Sequence, residues 1–467
     1  MRSRVRVVLA GIALVVLSAG LIRAFDTVGI AVAYKAKMLC SGVFVSGRSE
    51  KDVLAELELD DLAPLRFINA TLEPSEGVAK ASALGLIRRQ AAARGGTGCA
   101  LVPRGTTRAE FRQASTRDPV ELWERKPGRP LEEAAPDDSV RLALAPIIDR
   151  AFAEPDTGPR RRTQAVVVLH DGRVVAERYA PGISDKTPLL GWSMSKSVMN
   201  ALIGILVRER RLQLEAPAPI PAWRDPRDPR SSITVNHMLQ MTTGLRFDEG
   251  MTSLRSDVIR MLLDSDDMAS FAMTRELEAL PGMRWEYASG TTVLLARVIR
   301  NVINNDSAYV CFPRVALFDR IGMSSAVMET DAAGTLVGSS LMYASARDWA
   351  RFGQLYLNDG MWGGARILPE GWVDYSRTPA MADPSRGYGA HFWLGMPSGP
   401  DAPVSALPAG SLQAAGHEGQ FVTIVPSNRA VIVRLGRTRF GDAWDQPAFV
   451  RAVLDELPAP PPRVSGR

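Results

Sequence analysis

A serine and a lysine stand three residues apart at the start of an apolar segment. The segment runs from Gly191 to Val207 and reads GWSMSKSVMNALIGILV, with Ser193 and Lys196 in its first turn. Residues three apart share one face of a helix, so the lysine amine can reach the serine hydroxyl. Burial lowers the pKa of an amine, and a neutral amine can take the proton of an attacking hydroxyl. The spacing therefore indicates acyl-transfer chemistry, with Ser193 as the nucleophile and Lys196 as the general base.

The use of lysine elsewhere in the chain supports this interpretation. Lysine accounts for 7 of the 56 basic residues, and no lysine follows Lys196. Arginine keeps its proton in proteins, whereas a desolvated lysine can lose it. This chain uses arginine for ordinary positive charge, so a lysine inside an apolar helix favours a chemical role. The structural alternative is that Ser193 caps the helix while Lys196 extends its amine toward water.

Composition is that of a globular protein and narrows the possible partners. The chain has 467 residues, 46% of them hydrophobic, and a net charge of +5. Its basic residues are scattered without interleaved aromatic residues, so no nucleic-acid partner is expected. The four histidines show no metal-ligand spacing, and no glycine-rich phosphate loop follows a strand. We therefore expect neither a metal nor an organic cofactor.

The N-terminus has the pattern of an export signal. Arginines precede an apolar run at residues 7–22, which predicts a signal peptide or an N-terminal membrane anchor within residues 1–25. The protein is then exported to the periplasm or another extracytoplasmic space, and meets the membrane only through this segment. In such a compartment Cys40 and Cys99 are candidates for a disulfide, a pairing that the sequence leaves open. Cys311 lies among apolar residues and is expected to be a buried thiol.

Hydrophobic patterning divides the rest of the chain into four parts. These are an N-terminal extension of unassigned role (26–125), a linker rich in proline and charge (126–140), the main domain (141–458) and a disordered tail (459–467). Within the extension, residues 40–48 are predicted to form a short strand with a turn. Residues 77–102 are predicted to form a strand or a helix closed by glycines.

Strands open and close the main domain, and helices occupy its middle. Two β-branched runs joined at residues 170–172 predict a hairpin, and residues 419–436 predict two more strands around a Pro-Ser-Asn turn. Residues 234–245 are predicted to form a helix stopped by Gly244, and a further helix starts near Ser345. The order predicts an α+β fold, an antiparallel sheet flanked by helices with an inserted helical subdomain.

The nucleophile segment resembles that of a known family. SMSKS at residues 193–197 is similar to the S-x-x-K box of the penicillin-recognising serine hydrolases, with the class C β-lactamases and their esterase relatives closest. ITVNHMLQMTTGL at residues 233–245 resembles the segment that follows in this family. The resemblance extends over residues 163–457. It implies a β-lactamase/transpeptidase-like fold in which the box begins a central buried helix, with the N-terminal extension added in front.

The family also uses a tyrosine, and two tyrosines of this chain compete for the role. Tyr356 has the letters Tyr-Leu-Asn but lies in an amphipathic helix, where packing is expected. Tyr287 lies on a turn after a Pro-Gly pair and before a helix, with Ser289 where the family has asparagine. By resemblance Tyr287 is the proton relay between the serine, the lysine and the leaving group.

A third family box is K-T-G, and this chain has no lysine to fill it. The best match is His417-Glu418-Gly419, just before a long strand. The resemblance implies an oxyanion hole formed by the backbone amides of Ser193 and Gln420, with His417 and Gly419 beside the substrate. A histidine is mostly neutral near pH 7, so the expected grip on a β-lactam carboxylate is weak.

The combination of the three boxes is most similar to 6-aminohexanoate-dimer hydrolases and related carboxylesterases. It implies a serine hydrolase acting on a small-molecule ester or short linear amide. Two alternatives stay open: a penicillin-binding D-Ala-D-Ala carboxypeptidase or β-lactamase, and a catalytically silent binding protein on the same fold. An acidic loop with Asp248, Glu249 and Asp257 either meets a substrate amine or is simply solvated.

Overall fold

The computed structural model describes residues 2–107, 110–111, 131–135, 138–251, 253–397, 404–439 and 441–458. These residues form two compact units. The first unit consists of Met1–Arg94, Gly98–Thr116 and Asp248–Asp266, and the second of Gly95–Thr97, Arg117–Phe247 and Asp267–Arg467. The first unit thus includes a segment from within 141–458. The predicted tail and residues 126–130 and 136–137 of the predicted linker lie outside the described residues.

The regular elements are numbered here in chain order. The helices are α1 (Arg2–Phe44), α2 (Glu50–Leu57), α3 (Ser139–Phe152), α4 (Met194–Arg208), α5 (Val235–Leu239), α6 (Asp257–Asp264), α7 (Met268–Met273), α8 (Ser289–Ile303), α9 (Asp306–Pro313), α10 (Asp319–Ile321), α11 (Ala346–Leu357), α12 (Trp372–Ser376) and α13 (Gln446–Asp455). The strands are β1 (Asn69–Glu73), β2 (Val78–Ala83), β3 (Ile87–Ala93), β4 (Cys99–Leu101), β5 (Glu132–Glu133), β6 (Thr163–His170), β7 (Arg173–Tyr179), β8 (Leu189–Leu190), β9 (Val327–Met328), β10 (Met342–Ala344), β11 (Met361–Trp362), β12 (Ala365–Arg366), β13 (Gly395–Pro397), β14 (Val404–Ala406), β15 (Leu412–Gly416), β16 (Gln420–Val425) and β17 (Ala430–Gly436).

The first unit is a four-stranded sheet with a long helix packed on it. Strands β1 to β4 pair in chain order and are antiparallel, and α1 lies across β2 and β3. Helix α6 also packs against α1. The predicted strand at residues 40–48 was wrong, because most of these residues continue α1 to Phe44. Packing of the buried side of α1 on the sheet outweighs the local strand preference of valine and phenylalanine there.

One helix among the described residues is long and apolar enough to cross a membrane, by length and composition alone. It is Arg23–Phe44, with a mean hydropathy of 1.2 and 61% of it buried. This half of α1 contains Lys35 and Lys37, each 2% exposed. The amine of Lys35 donates to Glu58 at 2.6 Å and to two backbone carbonyls. These contacts make Arg23–Phe44 the core helix of the first unit.

The pairing of Cys40 with Cys99, left open by the sequence, is a disulfide in the structure. It ties α1 to the first residue of β4 and closes a sequence separation of 59 residues. Cys311, expected to be a buried thiol, is only half-buried.

The second unit is built on a six-stranded sheet in the order β15-β16-β17-β6-β7-β5. All neighbours are antiparallel except β5, which is parallel to β7. Helix α11 covers one face, and α3 and α13 pack with buried sheet side chains on the other. Every residue of β17 and nearly every residue of β6 is buried, as expected for strands covered on both faces. The predicted α+β class is confirmed.

Helix α4 runs through the interior of the second unit. Its residues from Met194 to Leu206 are all buried, and it contacts β15 and α8. Gly204 permits a close approach, because a methyl group there would meet the Trp372 ring at 2.6 Å. The predicted helix at residues 234–245 is shorter than expected. Helix α5 ends at Leu239, since Met241 has a left-handed backbone with φ of 57°.

We predict that replacing Cys40 and Cys99 together by serine destabilises the first unit. The chain-entropy model for a loop of this length gives a loss of about 4 kcal/mol. Hydrogen-exchange mass spectrometry should show lower protection in β1 to β4, with the second unit unchanged. Cys311→Ser is the control and should leave protection as it is. Equal protection of the sheet with and without the disulfide would contradict the prediction.

Candidate active site

Ser193 occupies the N-cap position of α4, where the chain turns sharply. Trp192 has a left-handed backbone with φ of 47°, and Ser193 follows with φ of −64° and ψ of −8°. The Ser193 hydroxyl makes no capping hydrogen bond to the helix. Ser193 as a whole is partly exposed, whereas the residues that follow it in α4 are buried.

Lys196 is buried beneath this serine. The side chain is 1% exposed. Its Nζ lies 3.0 Å from Ser193 Oγ, 3.0 Å from Ser289 Oγ and 2.9 Å from the carbonyl oxygen of Ser339. The carbonyl can only accept, whereas each hydroxyl can donate or accept. The arrangement therefore suits both an ammonium, which donates in every direction, and a neutral amine that accepts from a hydroxyl.

Tyr287 lies against the same amine. Its ring centroid is 4.7 Å from Lys196 Nζ. Tyr287 lies two residues before Ser289, the first residue of α8. The structure thus brings together Ser193, Lys196, Tyr287 and Ser289. Tyr356 lies elsewhere: it is 2% exposed and its hydroxyl donates to Asn200 Oδ1 at 2.5 Å.

An aromatic cluster, formed by Trp285, Tyr287, Tyr388 and Trp393, continues from this tyrosine. The Tyr287 ring lies 5.4 Å from Trp393 and 5.8 Å from Tyr388, and Trp285 lies 5.6 Å from Tyr388. Sequence analysis missed three of the four members. The available signal was the density of aromatic residues in two turn segments, 285–287 and 388–393.

Strand β15 forms the edge of the sheet beside the nucleophile. A methyl group on Gly416, the last residue of β15, would lie 2.2 Å from the carbonyl oxygen of Gly191. Only glycine therefore lets the strand approach the Gly191–Ser193 segment this closely. On its free side β15 pairs with Trp393 through Gln413, with two backbone hydrogen bonds of 2.9 Å.

The strand register decides where the backbone amide of Gln420 points. The backbone N–H and C=O of Gln413 point toward Trp393. Because these groups alternate in direction along a strand, the N–H and C=O of Gly416, three residues later, point toward β16. Gly416 is the register partner of Gln420. The Gln420 amide is therefore committed to the β15–β16 ladder. Because a peptide unit is trans, the amide of His417 points opposite to the Gly416 carbonyl, toward the free edge.

The turn that carries His417 and Gly419 is held by a buried carboxylate. Glu418 has φ of 61° and is 5% exposed. Its oxygens lie 3.1 Å from Arg437 Nε and 3.4 Å from Arg439 Nη1. Burial opposes the charge, but the two guanidinium groups hold the pKa of Glu418 below its ordinary range.

Two further contacts join this turn to the nucleophile segment. The Trp192 indole N–H donates to Glu418 Oε2 at 3.4 Å, and the Trp192 ring packs edge-on against His417 with centroids 5.5 Å apart. The Gln420 side chain donates to the carbonyl oxygens of His417 and Glu418. The turn is thus fixed from both its own strand and the residue before Ser193.

His391 is a structural residue to which sequence analysis assigned no role. It is 1% exposed, with Nδ1 2.8 Å from the Leu239 carbonyl and Nε2 3.0 Å from Thr292 Oγ1. Its own carbonyl accepts from Ser197 Oγ in α4. Burial, together with the nearby charge of Lys196, lowers the pKa of His391 to about 3. The ring is therefore neutral and links α4, α5 and α8.

The acidic loop of residues 248–257 belongs to the first unit. Asp248 accepts the backbone N–H of Gly250 at 2.9 Å, and Asp257 accepts that of Asp248 at 3.0 Å. Both carboxylates thus stabilise the loop itself. Within the described residues, no group of histidine, cysteine, aspartate or glutamate side chains could hold a metal ion.

This fold and this serine–lysine pair define a β-lactamase-related protein. The chain belongs to the Beta-lactamase family, whose model matches residues 148–453. The resemblance inferred from the sequence is thereby confirmed.

The similar proteins found for this chain are named as hydrolases. The 6-aminohexanoate-dimer hydrolase of Paenarthrobacter ureafaciens is 24% identical over 306 residues, covering 61% of this chain and 74% of the relative. A Bacillus anthracis protein assigned as a 6-aminohexanoate-dimer hydrolase has a similar structure, with a TM-score of 0.55 and 22% identity over 71% of this chain and 87% of that one. EstCE1, a hydrolase with promiscuous acyltransferase activity, gives a TM-score of 0.54 and 16% identity over 68% and 98% of the two chains.

We predict that His391→Asn changes the acid sensitivity of the second unit. Asparagine tolerates the left-handed backbone of this position, where φ is 58°. The folded pKa of His391 is about 3, and an unfolded histidine titrates near about 6.5. Between these values the unfolded chain binds the extra proton, so wild-type stability falls by about 1.4 kcal/mol per unit as the pH is lowered.

The variant lacks this contribution, and its stability should fall less steeply over the same range. Denaturant unfolding of both proteins at neutral pH and near about pH 4 measures the difference. His170→Asn, a substitution in the β6–β7 hairpin, is the control. Parallel pH profiles for wild type and His391→Asn would show that His391 is not the buried neutral group described here.

Proposed function

We propose that this protein is a serine hydrolase that cleaves a small-molecule ester or short linear amide. The observation that carries the proposal is the 3.0 Å contact between the fully buried Lys196 amine and Ser193 Oγ. A buried amine with a carbonyl acceptor on one side and the nucleophile on another is placed to receive the serine proton. Neither partner needs a metal or an organic cofactor for this step.

The proposed reaction passes through an acyl-enzyme. Ser193 Oγ attacks the substrate carbonyl carbon while its proton moves to neutral Lys196, and the carbonyl oxygen becomes an oxyanion. Collapse of this intermediate breaks the bond to the leaving alcohol or amine, which takes a proton relayed through Tyr287. Water, deprotonated by the same groups, then attacks the acyl-enzyme and releases the acid and Ser193.

For the oxyanion hole we propose the backbone amides of Ser193 and His417. The Ser193 amide lies at the N-terminus of α4, where the helix dipole favours negative charge. The amide first expected from resemblance, that of Gln420, is committed to the sheet by the register of β15 and β16. The His417 amide points to the open edge beside Gly416, close to the nucleophile segment.

The surroundings of the pair support a substrate other than a β-lactam. The aromatic cluster offers apolar surface next to Tyr287, and the third box presents His417 in place of a lysine. The chain has no lysine after Lys196 to pair with the carboxylate of a β-lactam. The relative named for 6-aminohexanoate dimers favours a short linear amide, and EstCE1, named for acyltransferase activity, favours acyl transfer.

We further propose that the protein is exported and is held at the membrane by residues 7–22. The Cys40–Cys99 disulfide supports an oxidising compartment, since such bonds are rare where thiols are kept reduced. The arginines before residue 7 favour the cytoplasmic side for the N-terminus.

We predict that a fluorophosphonate probe labels Ser193 and that a short p-nitrophenyl ester is hydrolysed. Ser193→Ala and Lys196→Ala should each lower kcat/KM by about a thousand-fold or more. Lys196→Arg should be as inactive, because a guanidinium does not give up its proton. Mass spectrometry of the labelled peptide, with steady-state kinetics, measures both.

Tyr287→Phe tests the relay, and Tyr356→Phe is the matched control. The first should lower kcat by about 100-fold or more. The second removes a buried hydrogen bond to Asn200 and should cost about 1–3 kcal/mol of stability with kcat retained. An unlabelled Ser193, or full activity in Lys196→Arg, would reject the mechanism and favour a silent binding protein. Labelling by penicillin would favour the cell-wall alternative.

We also predict that Gly416→Ala impairs catalysis without unfolding the protein. The added methyl group overlaps the Gly191 carbonyl and displaces β15 from the nucleophile, and displacements near 1 Å cost about 100-fold in rate. The loss should lie mainly in kcat for the p-nitrophenyl ester. Ala415→Gly, one residue earlier, is the control and should remain active. A fully active Gly416→Ala variant would show that the β15 edge does not position the reacting carbonyl.

A further inference from the structure

One end of the first unit presents large apolar side chains to solvent. Phe67 is 74% exposed, Leu84 89% and Leu86 75%. The sheet register places them together: Asn69, two residues after Phe67, pairs with Ser82, just before the β2–β3 turn that carries the leucines. We call this group, Phe67, Leu84 and Leu86, the apolar tip.

The turn at the apolar tip is an unfavourable place for a leucine. Leu84 has φ of 52° and Gly85 of 68°, so both have left-handed backbones in the three-residue connection between the register partners Ala83 and Ile87. Asparagine or glycine normally occupies the first of these positions, because a side chain with a bulky Cβ substituent is strained there. A fully exposed leucine gains no burial within the unit to offset this strain. A leucine at position 84 is explained if its side chain is buried against something outside the first unit.

The path of α1 shows at which end of the sheet its N-terminal part extends beyond the strands. The Cys40–Cys99 bond holds the C-terminal part of α1 at the strand end where Cys99 pairs with Ala93. Gly29 lies at the other end of the strands. A Cβ atom added to Gly29 would be 3.6 Å from the Arg104 guanidinium. Helix α1 therefore leaves the sheet at the end that carries the apolar tip. Phe25, one turn further out on α1, is 52% exposed.

The two ends of the sheet also differ in charge. Arg66 lies over the Phe67 ring at 5.0 Å, Arg88 donates to the Gly85 carbonyl within the turn, and Arg104 is 58% exposed. Asp264 at this end is paired with Arg104 at 2.6 Å. The opposite turn of the sheet carries Glu73 and Glu76. Apolar side chains rimmed by arginine suit the boundary between acyl chains and anionic headgroups.

We propose that the apolar tip is a second membrane contact, inserted into the headgroup boundary of the bilayer that holds residues 7–22. The inference rests on the proposed anchor, from which α1 continues directly to the sheet. Insertion of Phe67, Leu84 and Leu86 buries the exposed apolar surface and removes rotation of the unit about a single helix. The first unit then acts as a rigid base standing on the membrane.

The test uses the full-length chain with Cys311→Ser, in vesicles of phosphatidylcholine and phosphatidylglycerol. Leu84→Cys carries an environment-sensitive nitrobenzoxadiazole label, and Phe67→Cys provides an independent position. Ser75→Cys, in the exposed turn at the opposite sheet end, is the matched control. We expect both tip labels to emit at shorter wavelength and to lose most of their intensity to nitroxide-bearing lipids. The Ser75→Cys label should behave as in water.

Two results would overturn the proposal. In one, the chain floats with vesicles while both tip labels remain as aqueous and as unquenched as the control. In the other, the chain does not float at all, so that no bilayer is available to the tip. Ester hydrolysis measured in the same samples reports on Ser193 separately, so failure of the membrane contact and failure of the proposed hydrolase are distinguishable.

Discussion

A buried lysine amine must find a partner for each of its polar directions, and this requirement organises the second unit. Lys196 meets it with two hydroxyls and one carbonyl, drawn from α4, α8 and the residue Ser339. The three partner groups come from different parts of the chain, so the position of the amine depends on the helix packing as a whole. An unpaired ammonium at this depth would cost several kcal/mol. The same contacts that satisfy the amine hold it against Ser193, so stability and the proposed chemistry rest on one arrangement.

The strand edge beside the nucleophile depends on a second close contact. Gly416 allows β15 to approach the Gly191 carbonyl, and the Glu418 carboxylate with its two arginines holds the following turn in a left-handed backbone. Trp192 contacts this turn through both its indole N–H and its ring. The segment before Ser193 and the end of β15 are therefore positioned by each other. Preorganised backbone amides at such a junction stabilise developing negative charge without rearrangement.

In the first unit, the N-terminal helix α1 forms part of the core. Lys35 and Lys37 are as buried as Lys196, but their amines bind carbonyl, carboxylate and hydroxyl oxygens within the unit. Burial of a lysine is therefore not by itself a mark of catalysis. What distinguishes Lys196 is that its partner Ser193, with Oγ at 3.0 Å from the amine, is partly exposed.

Much of the local structure was determined by the sequence itself. The β6–β7 hairpin, the strands β16 and β17 around their Pro-Ser-Asn turn, and helix α11 after Ser345 are encoded by near neighbours, with apolar residues at spacings of two or of three and four. The S-x-x-K box belongs with these, because its two members share a single helical turn.

Only the tertiary structure decided how distant residues combine. It placed Tyr287 against Lys196 and Tyr356 against Asn200, added the Ser339 carbonyl and the aromatic cluster, and placed Asp248–Asp266 in the first unit. These outcomes depend on strand register and packing between segments about a hundred residues or more apart, and local periodicity contains no information about such contacts. The Cys40–Cys99 disulfide also depends on packing between separate segments. The sequence supplied two cysteines, but the crossing of α1 over the sheet brought them together.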